Sequence, residues 1–550
     1  MVSLDGSDHL VRHFRQMLLW PLQLMPAEGD NEERSHWQLL EAADSEHLWA
    51  RVEDEFTADP SQFQERHYKE FVSFLPYVQR FLYGESRGAR PRRNEETPGA
   101  SALRVYRRHD VAALRVIVRA GAQPLTLKVA HIDLYFFDDV DVALLNAEVL
   151  ADDLPLSTAL DLMYRFGRAY PTTWDEYGNG VHNVWSAEWL DAAGHVLATS
   201  DSGNRGKYLE FACQYRAAGT AAHWAYLVQP MVLDVTHDDG LLRYRQIAYH
   251  RMPLMAFLAL DDPRAIADAD WVRLGLIASV HPDEPMPHND PDITAFFARY
   301  SFDRYWSGTD AGPHTRFLCS GRVLSVIGDA QSPYFLDTER GLLGQFRHQY
   351  FMLFLIAHFH QAALLVFSDR LVDAIHDLDM HDRNSLRRFR ARVHGSFDSF
   401  LRFTHRYWFN VLSEHPHMQA LHRACVRHLG NAELYAEIKE ELRDMSQYLD
   451  SDAQRRQSTT VTRLTVVTTF SLIGTVATGF LGMNIIDEAS APPGMRLFYL
   501  AATVVATTVL TLFLVRKSRR LSDLMDRLSD EKLPPSRRLP MSSIGRRGDE

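Results

Sequence analysis

The spacing of apolar positions divides this chain into stretches of different period. From Val11 to Met25 a mixed apolar run is broken by Pro21 and closed by Pro26. From Phe63 to Tyr83, residues Phe71, Phe74, Leu75, Val78, Phe81 and Leu82 recur at helical spacing around Pro76. Both patterns predict a helical N-terminal region over 1–95, with Pro76 dividing its second part. Residues 84–100, rich in Gly, Arg, Pro and Glu, read as a loop. The period then changes to that of strands in Val111–Val118, Leu125–Val129, Ile132–Phe137 and Val140–Val149, with Asp138-Asp139 as the turn between the last two. A helix is expected over Leu156–Phe166, ending before Pro171. Further strands are expected near Val184–Ala198, Ala222–Val228, Tyr244–Tyr249, Leu254–Leu260 and Phe317–Ile327. These elements predict a sheet domain of α/β or α+β class over 100–335.

From about Thr338 onward the pattern is nearly all helical, with a helical region over 338–430. The run Tyr350–Phe367 is apolar enough to raise the question of a membrane span. His358, His360 and Gln361 sit near its middle, and Arg347 and Asp369 close its ends. Ionisable groups are costly inside a bilayer, so the expectation is a buried helix of a soluble domain. In Glu433–Leu449, apolar Leu434, Ile438, Leu442, Met445 and Leu449 recur at spacings of three and four, the seam of an amphipathic helix. Neither Pro nor Gly lies between Asn431 and Ile473, so one helix is predicted to run from a stalk, 431–463, into a first transmembrane helix, 464–484.

Two uncharged runs follow, 23 residues from Leu464 to Ile486 and 19 from Leu497 to Val515. At about 1.5 Å per residue, each is long enough to cross a hydrocarbon core of roughly 30 Å. Only ten residues, Asp487–Arg496, separate the runs. An outer loop over 485–496 therefore joins an antiparallel hairpin, whose second helix spans 497–515 and leads to a basic tail, 516–550. Arg455, Arg456 and Arg463 precede the first run, and Arg516, Lys517, Arg519 and Arg520 follow the second. Basic residues gather on the cytoplasmic side, so both termini are expected there. The start Met1-Val2-Ser3-Leu4-Asp5 has no basic region followed by an apolar core, and no signal peptide is expected.

Charge and cysteine content agree with a large cytosolic part. Net charge is -12, and the segment from Arg516 on carries ten Lys/Arg against six Asp/Glu, or +4, leaving -16 for the rest. That balance argues against a nucleic-acid partner. Cys213, Cys319 and Cys425 are far apart and odd in number, which fits a reducing compartment and no zinc-binding Cys-x-x-Cys. The sequence has no Walker A loop, no GxGxxG opening a helix and no GxSxG, and nothing marks an enzyme.

A single hairpin cannot enclose an ion pathway, so conduction requires several copies around an axis. Stepping back from Asn484 in helical turns, one face of the first span carries Gly479, Thr475, Leu472, Thr468, Thr465 or Leu464, and Val461. Around an axis this face gives rings of hydroxyls separated by apolar collars, the elements of a cation path. The same small residues also suit close helix packing, and spacing alone does not choose between the two.

The first run ends in Gly482-Met483-Asn484. With the long charged helix before it, the short acidic loop and the basic end, this arrangement resembles the CorA superfamily of divalent-cation transporters, which includes magnesium channels and ZntB-type zinc transporters. The resemblance covers about 430–520 and is architectural before that. It implies a homo-oligomeric, pentameric protein of a bacterial-type inner membrane, with no bound cofactor and a divalent cation as cargo, Mg²⁺ first and Zn²⁺, Co²⁺ or Ni²⁺ as alternatives. It further implies that Gly482, Met483 and Asn484 form the selectivity filter, Asn484 meeting the metal through its water shell. Thr475 falls where the family coordinates the ion deeper in, and Leu472, Leu464 and Val461 where its pore narrows. Gly479 falls at a family glycine. Asp487 and Glu488 are placed to attract cations. Leu481 stands where many members have Tyr, and the loop lacks the family's Met-Pro-Glu-Leu. A ZntB-like carrier and a membrane-tethered regulatory protein that does not conduct therefore remain alternatives.

Other clusters weigh toward structure. The Pro-broken loop from His281 to Asp292 is dense in His and carboxylate, as a solvated loop or a cytosolic cation sensor would be. Asp138, Asp139 and Asp141, and the pair Asp152-Asp153, read as turns. His405, His415, His417, His422 and His428 lack an HExxH pattern.

Overall fold

The computed structural model describes residues 9–26, 34–52, 65–85, 101–247, 250–279, 292–307, 314–376, 378, 383–482 and 492–530. The chain divides into two compact units, Met1–Met445 and Ser446–Glu550.

In the first unit fourteen strands of the described residues form one sheet. In chain order they are β1 (Leu10–Leu24), β2 (Trp49–Arg51), β3 (Leu103–Arg108), β4 (Ala113–Ile117), β5 (Leu125–Phe137), β6 (Val142–Pro155), β7 (Ser186–Leu190), β8 (Val196–Thr199), β9 (Val232–Leu233), β10 (Arg243–Gln246), β11 (Leu254–Leu260), β12 (Ser301–Tyr305), β13 (Thr315–Cys319) and β14 (Val323–Asp329). The main path runs β12-β13-β14-β11-β1-β6-β5-β4-β7-β8, with β3 and β2 branching from β5, and β10 and β9 from β1. Pairing is antiparallel except at β11–β14 and β9–β10. The fold is thus α+β rather than α/β.

The expected helical region over 1–95 is corrected at its most apolar part, which is the central strand β1. Its two faces enter different cores. Phe14, Leu18, Trp20 and Leu22 join one, and Met17 and Leu19 the other. A strand buried on both faces reads as a continuous apolar run without alternation, which hides its period. Pro21 is tolerated because pairing with β11 ends at Leu18 and pairing with β10 begins at Leu22. The Leu19 N–H points to that same side, toward the Pro253 carbonyl, so the missing Pro21 N–H falls in the gap between the two strands. Helices α1 (His36–Ala43), α2 (Glu65–Val72) and α3 (Pro76–Tyr83) do form in this region, α3 opening on Pro76.

A second correction concerns Ala222–Val228, expected as a strand. After α4 (Leu156–Arg165) and α5 (Arg205–Tyr215) it forms the short helix α6 (Ala222–Leu227), which buries His223, Trp224 and Leu227. A short apolar run does not reveal its own period. The turn at Asp138-Asp139 is formed, with Asp139 at φ +60.

The helices α7 (Asp268–Leu276), α8 (Ile293–Tyr300), α9 (Pro333–Leu336) and α10 (Leu342–Gln345) lead through a π-helical turn, Phe346–Tyr350, into α11 (Phe351–His376). The helix from Leu342 to His376 is apolar enough to cross a membrane, yet its most apolar window is 78% buried inside the first unit. It is the core helix of that unit. Phe359 stacks on Phe137 of the sheet at 3.7 Å, and His360 Nε2 lies 2.6 Å from the Tyr407 carbonyl. α12 (Arg383–Arg406) and α13 (Pro416–Leu429) pack against it. The helix α14 (Asn431–Gly482) begins in the same core. Asn431 donates to the Ala357 carbonyl, Tyr435 stacks on Trp408, and Ile438 and Leu442 are buried.

The two cores of the first unit carry neutral histidines. Burial holds His223, His358 and His360 at about 3 and His422 at about 4. Their ordinary value is 6.5, so below that pH the unfolded chain binds protons that the folded one refuses. Stability is full above pH 6.5 and falls as pH drops toward 3, by up to ~2 kcal/mol per histidine at pH 5. Urea unfolding followed by tryptophan fluorescence should show a lower midpoint at pH 5 than at pH 7.5. An unchanged midpoint would contradict the burial of these groups as neutral bases.

Candidate functional site: the C-terminal hairpin

The second unit contains the rest of α14 and the helix α15 (Pro493–Asp530). α14 is one helix of 52 residues. α15 begins at Pro493, a residue suited to a first helical turn, and so extends earlier than the expected 497–515 and later, through half of the basic tail. Both helices keep large apolar side chains outward, including Phe470 at 71%, Leu497 at 68% and Phe498 at 66% exposure. The stretch Pro493–Thr511 is long and apolar enough to span a bilayer, and Leu464–Gly479 is a shorter apolar stretch.

The residues singled out on the first span share one face. Ile473 and Ala477 are buried, as are Thr507 and Thr511 of α15. At about 100° per residue, Ile473 and Ala477 lie on the side of α14 opposite Thr475. Val461, Leu464, Thr468, Leu472, Thr475, Gly479 and Gly482 all fall near the Thr475 side, and all are exposed. A side chain added at Gly479 or Gly482 would meet nothing within 4 Å in one chain. Among the described residues nothing covers this face within one chain, and Val466, Val467, Phe470 and Val476 on other sides of the helix are exposed as well.

Its hydroxyls have a defined polarity. Thr475 Oγ1 donates to the Ser471 carbonyl at 2.8 Å, and Thr468 Oγ1 to the Leu464 carbonyl at 2.9 Å. Each proton is used by the helix backbone, so the oxygen lone pairs are what the face offers. Such oxygens accept from water or ligate a cation. Met483, Asn484, Asp487 and Glu488 lie outside the described residues, as does the His281–Asp292 loop up to residue 291.

The acidic clusters of the first unit are held by ion pairs. Arg406 Nη1 lies 3.2 Å from Asp138 and 2.8 Å from Asp139, and Asp141 pairs with Arg370. His13 meets Asp152 at 2.7 Å, and Arg12 meets Asp153 at 3.0 Å. The histidines scatter: His422 is buried, His405 is exposed, and His428 faces the Arg299 carbonyl. Among the described residues no group of three or more His, Cys, Asp or Glu is placed to hold a metal ion. Two ion pairs on the sheet, Arg107–Asp133 and the buried Arg15–Glu148, are not apparent in the sequence because their partners come from different strands.

Two apolar helices close in sequence expose most of their described surface, and Pro493–Thr511 is long and apolar enough to cross a membrane. Residues 372–517 match the family model described as CorA-like Mg2+ transporter protein. The matched segment includes all of α14 and most of α15. The complete structure of the CorA magnesium transporter from Methanocaldococcus jannaschii is similar at 12% identity, over 50% of this chain and 95% of that one, with a TM-score of 0.15, a likeness too slight to bear on the fold. No protein of curated function matches the chain.

Proposed function

We propose that this protein is a homo-oligomeric, pentameric path for divalent cations across an inner membrane, carrying Mg²⁺ by passive flux, with both termini cytoplasmic. The observation that carries this reading is the uncovered face of α14, where hydroxyl oxygens alternate with aliphatic side chains opposite the buried side. Repeated around an axis, that face supplies oxygen rings and apolar collars. Asn484 holds the hydrated ion at the outer mouth through its amide oxygen, since Mg²⁺ parts with its waters reluctantly. Asp487 and Glu488 raise the local cation concentration there, an effect that salt screens. No cofactor takes part.

Two other readings have specific support. Leu481 and the loop that follows Asn484 depart from the magnesium-channel pattern, which favours a ZntB-like carrier of Zn²⁺ or another transition metal. The long part of the chain before the matched segment favours a regulatory protein that does not conduct. Flux into proteoliposomes, compared for Mg²⁺, Zn²⁺, Co²⁺ and Ni²⁺, separates the three. Mg²⁺ entry that exceeds the others supports the first reading, transition-metal entry the second and no flux the third.

Assembly and topology are checked independently. Purified in mild detergent, the protein should have the mass of a symmetric pentamer, and a monomer that retains flux would contradict the shared-pore mechanism. Cysteines introduced by Ser490→Cys and Ser543→Cys should label from outside at the first position only. Labelling at the second in sealed right-side-out vesicles would reverse the proposed orientation.

A further inference from the structure

We propose that the first unit binds a phosphorylated small molecule with an apolar or aromatic body, of about nucleotide size, in the cavity bounded by the β13–β14 turn, the ends of α7 and α8, and the end of α13. The cavity measures about 430 Å³, inside the ~300–1,000 Å³ range of small-ligand clefts. Its apolar floor comes from Met163, Phe166, Leu254, Leu276 and Val323. Its charged lining has one sign: Arg251, Arg299 and Arg322, with His428 beside them. None of the described residues lining it is an aspartate or glutamate.

Local structure concentrates this charge. Arg251 and Arg168 face each other across an isolated antiparallel bridge, a like-charge pairing that is unfavourable by itself. Arg168 Nη1 donates to His250 Nε2 at 2.6 Å, so the imidazole is neutral and accepts there. Arg251 donates to the Ile277 carbonyl. Both guanidinium groups lie over the Tyr164 ring, at 4.8 and 5.6 Å. A carbonyl, an imidazole and a phenol ring orient these guanidinium groups. The result is felt nearby: burial, then Arg168 and Arg251, lower His250 to about 4, and burial, then Arg168, lowers Arg251 to about 10.

The rim is placed by one glycine. Gly321 sits at φ +85, and a Cβ there would lie 2.9 Å from the His428 backbone. The turn therefore presses on the end of α13 and brings Ser320, Arg322 and His428 to one edge. Guanidinium groups match phosphate oxygens through paired N–H donors. The floor and the Tyr300 ring suit the uncharged part of the ligand.

The test uses the full-length protein in detergent at low salt with EDTA, which removes divalent cations and keeps the hairpin out of the measurement. ATP, inorganic pyrophosphate and adenosine are titrated by calorimetry, with melting as a second readout. ATP is expected to bind more tightly than pyrophosphate, adenosine not to bind, and added salt to weaken both anions. Arg322→Gln, at an exposed position, should fold normally and weaken ATP by about tenfold, and Arg251→Gln by more. Absence of ATP binding, or ATP binding unchanged in both variants, would overturn the site. Pyrophosphate binding as tightly as ATP would overturn the role of the floor, and adenosine binding as tightly as ATP the role of the arginines. None of these outcomes depends on whether the hairpin conducts.

Discussion

Asn484→Ala is expected to abolish divalent-cation flux, or lower it by ~10-fold or more, with the oligomer intact. A hydrated Mg²⁺ presents a shell of water donors, and the Asn484 amide oxygen accepts from that shell without stripping it. Alanine offers no acceptor. Losing one hydrogen bond to a charged group costs ~1.5–3 kcal/mol, and a symmetric ring loses one per subunit. The other positions should follow in order. Thr475→Val keeps the shape of the first span and removes only the exposed lone pairs, since the Thr475 proton is already used by the Ser471 carbonyl. Its effect should be smaller. Asp487→Asn with Glu488→Gln should lower flux mainly at low cation concentration and low salt, as an attraction effect does. Flux in proteoliposomes, read beside the mass of the oligomer, ranks the three. Wild-type flux in Asn484→Ala would remove the filter role and most of the proposed pathway with it.

The two C-terminal helices were legible in the sequence because their signal is long and strong. The uncharged runs, the unbroken helix from Asn431 and the three-and-four spacing of Ile438 and Leu442 all point the same way, and in the structure α14 carries those two residues buried in the first unit. Helical steps back from Asn484 select one side of the first span, and the structure leaves the described residues of that side exposed; that it lines a pore is a proposal. The packed side was not legible, since Ile473 and Ala477 look no different in composition from their neighbours. The N-terminal strand was misread for a physical reason: β1 lies between two cores and shows no alternation. The cationic cavity was invisible, because Arg251, Arg299 and Arg322 come from separate elements that only the fold brings together.

Glu148→Gln should destabilise the first unit by ~3–5 kcal/mol, the largest single effect expected in its core. Glu148 of β6 pairs with Arg15 of β1, and their side chains are 3% and 8% exposed. Arg347, from the π-helical turn before α11, lies 3.8 Å from the same carboxylate. Removing that charge leaves buried guanidinium without its countercharge, which is worse than having no pair at all. The combination Arg15→Met with Glu148→Leu should therefore lose much less stability than Glu148→Gln alone, because it removes both charges and fills the space. Equilibrium unfolding of the three proteins measures the difference, and a loss below about 1 kcal/mol in Glu148→Gln would refute the account. The pair also pins register. Arg15 stands opposite Leu150, and Glu148 opposite Met17, so both charges project to the face that carries Met17 and Leu19. Sliding β1 by one residue would turn Arg15 toward the other core, beside Ala147, Val149 and Ala256 of the neighbouring strands, and away from the face that carries Glu148. In a strand with almost no alternation to fix its register, one diagonal ion pair supplies what the apolar pattern lacks.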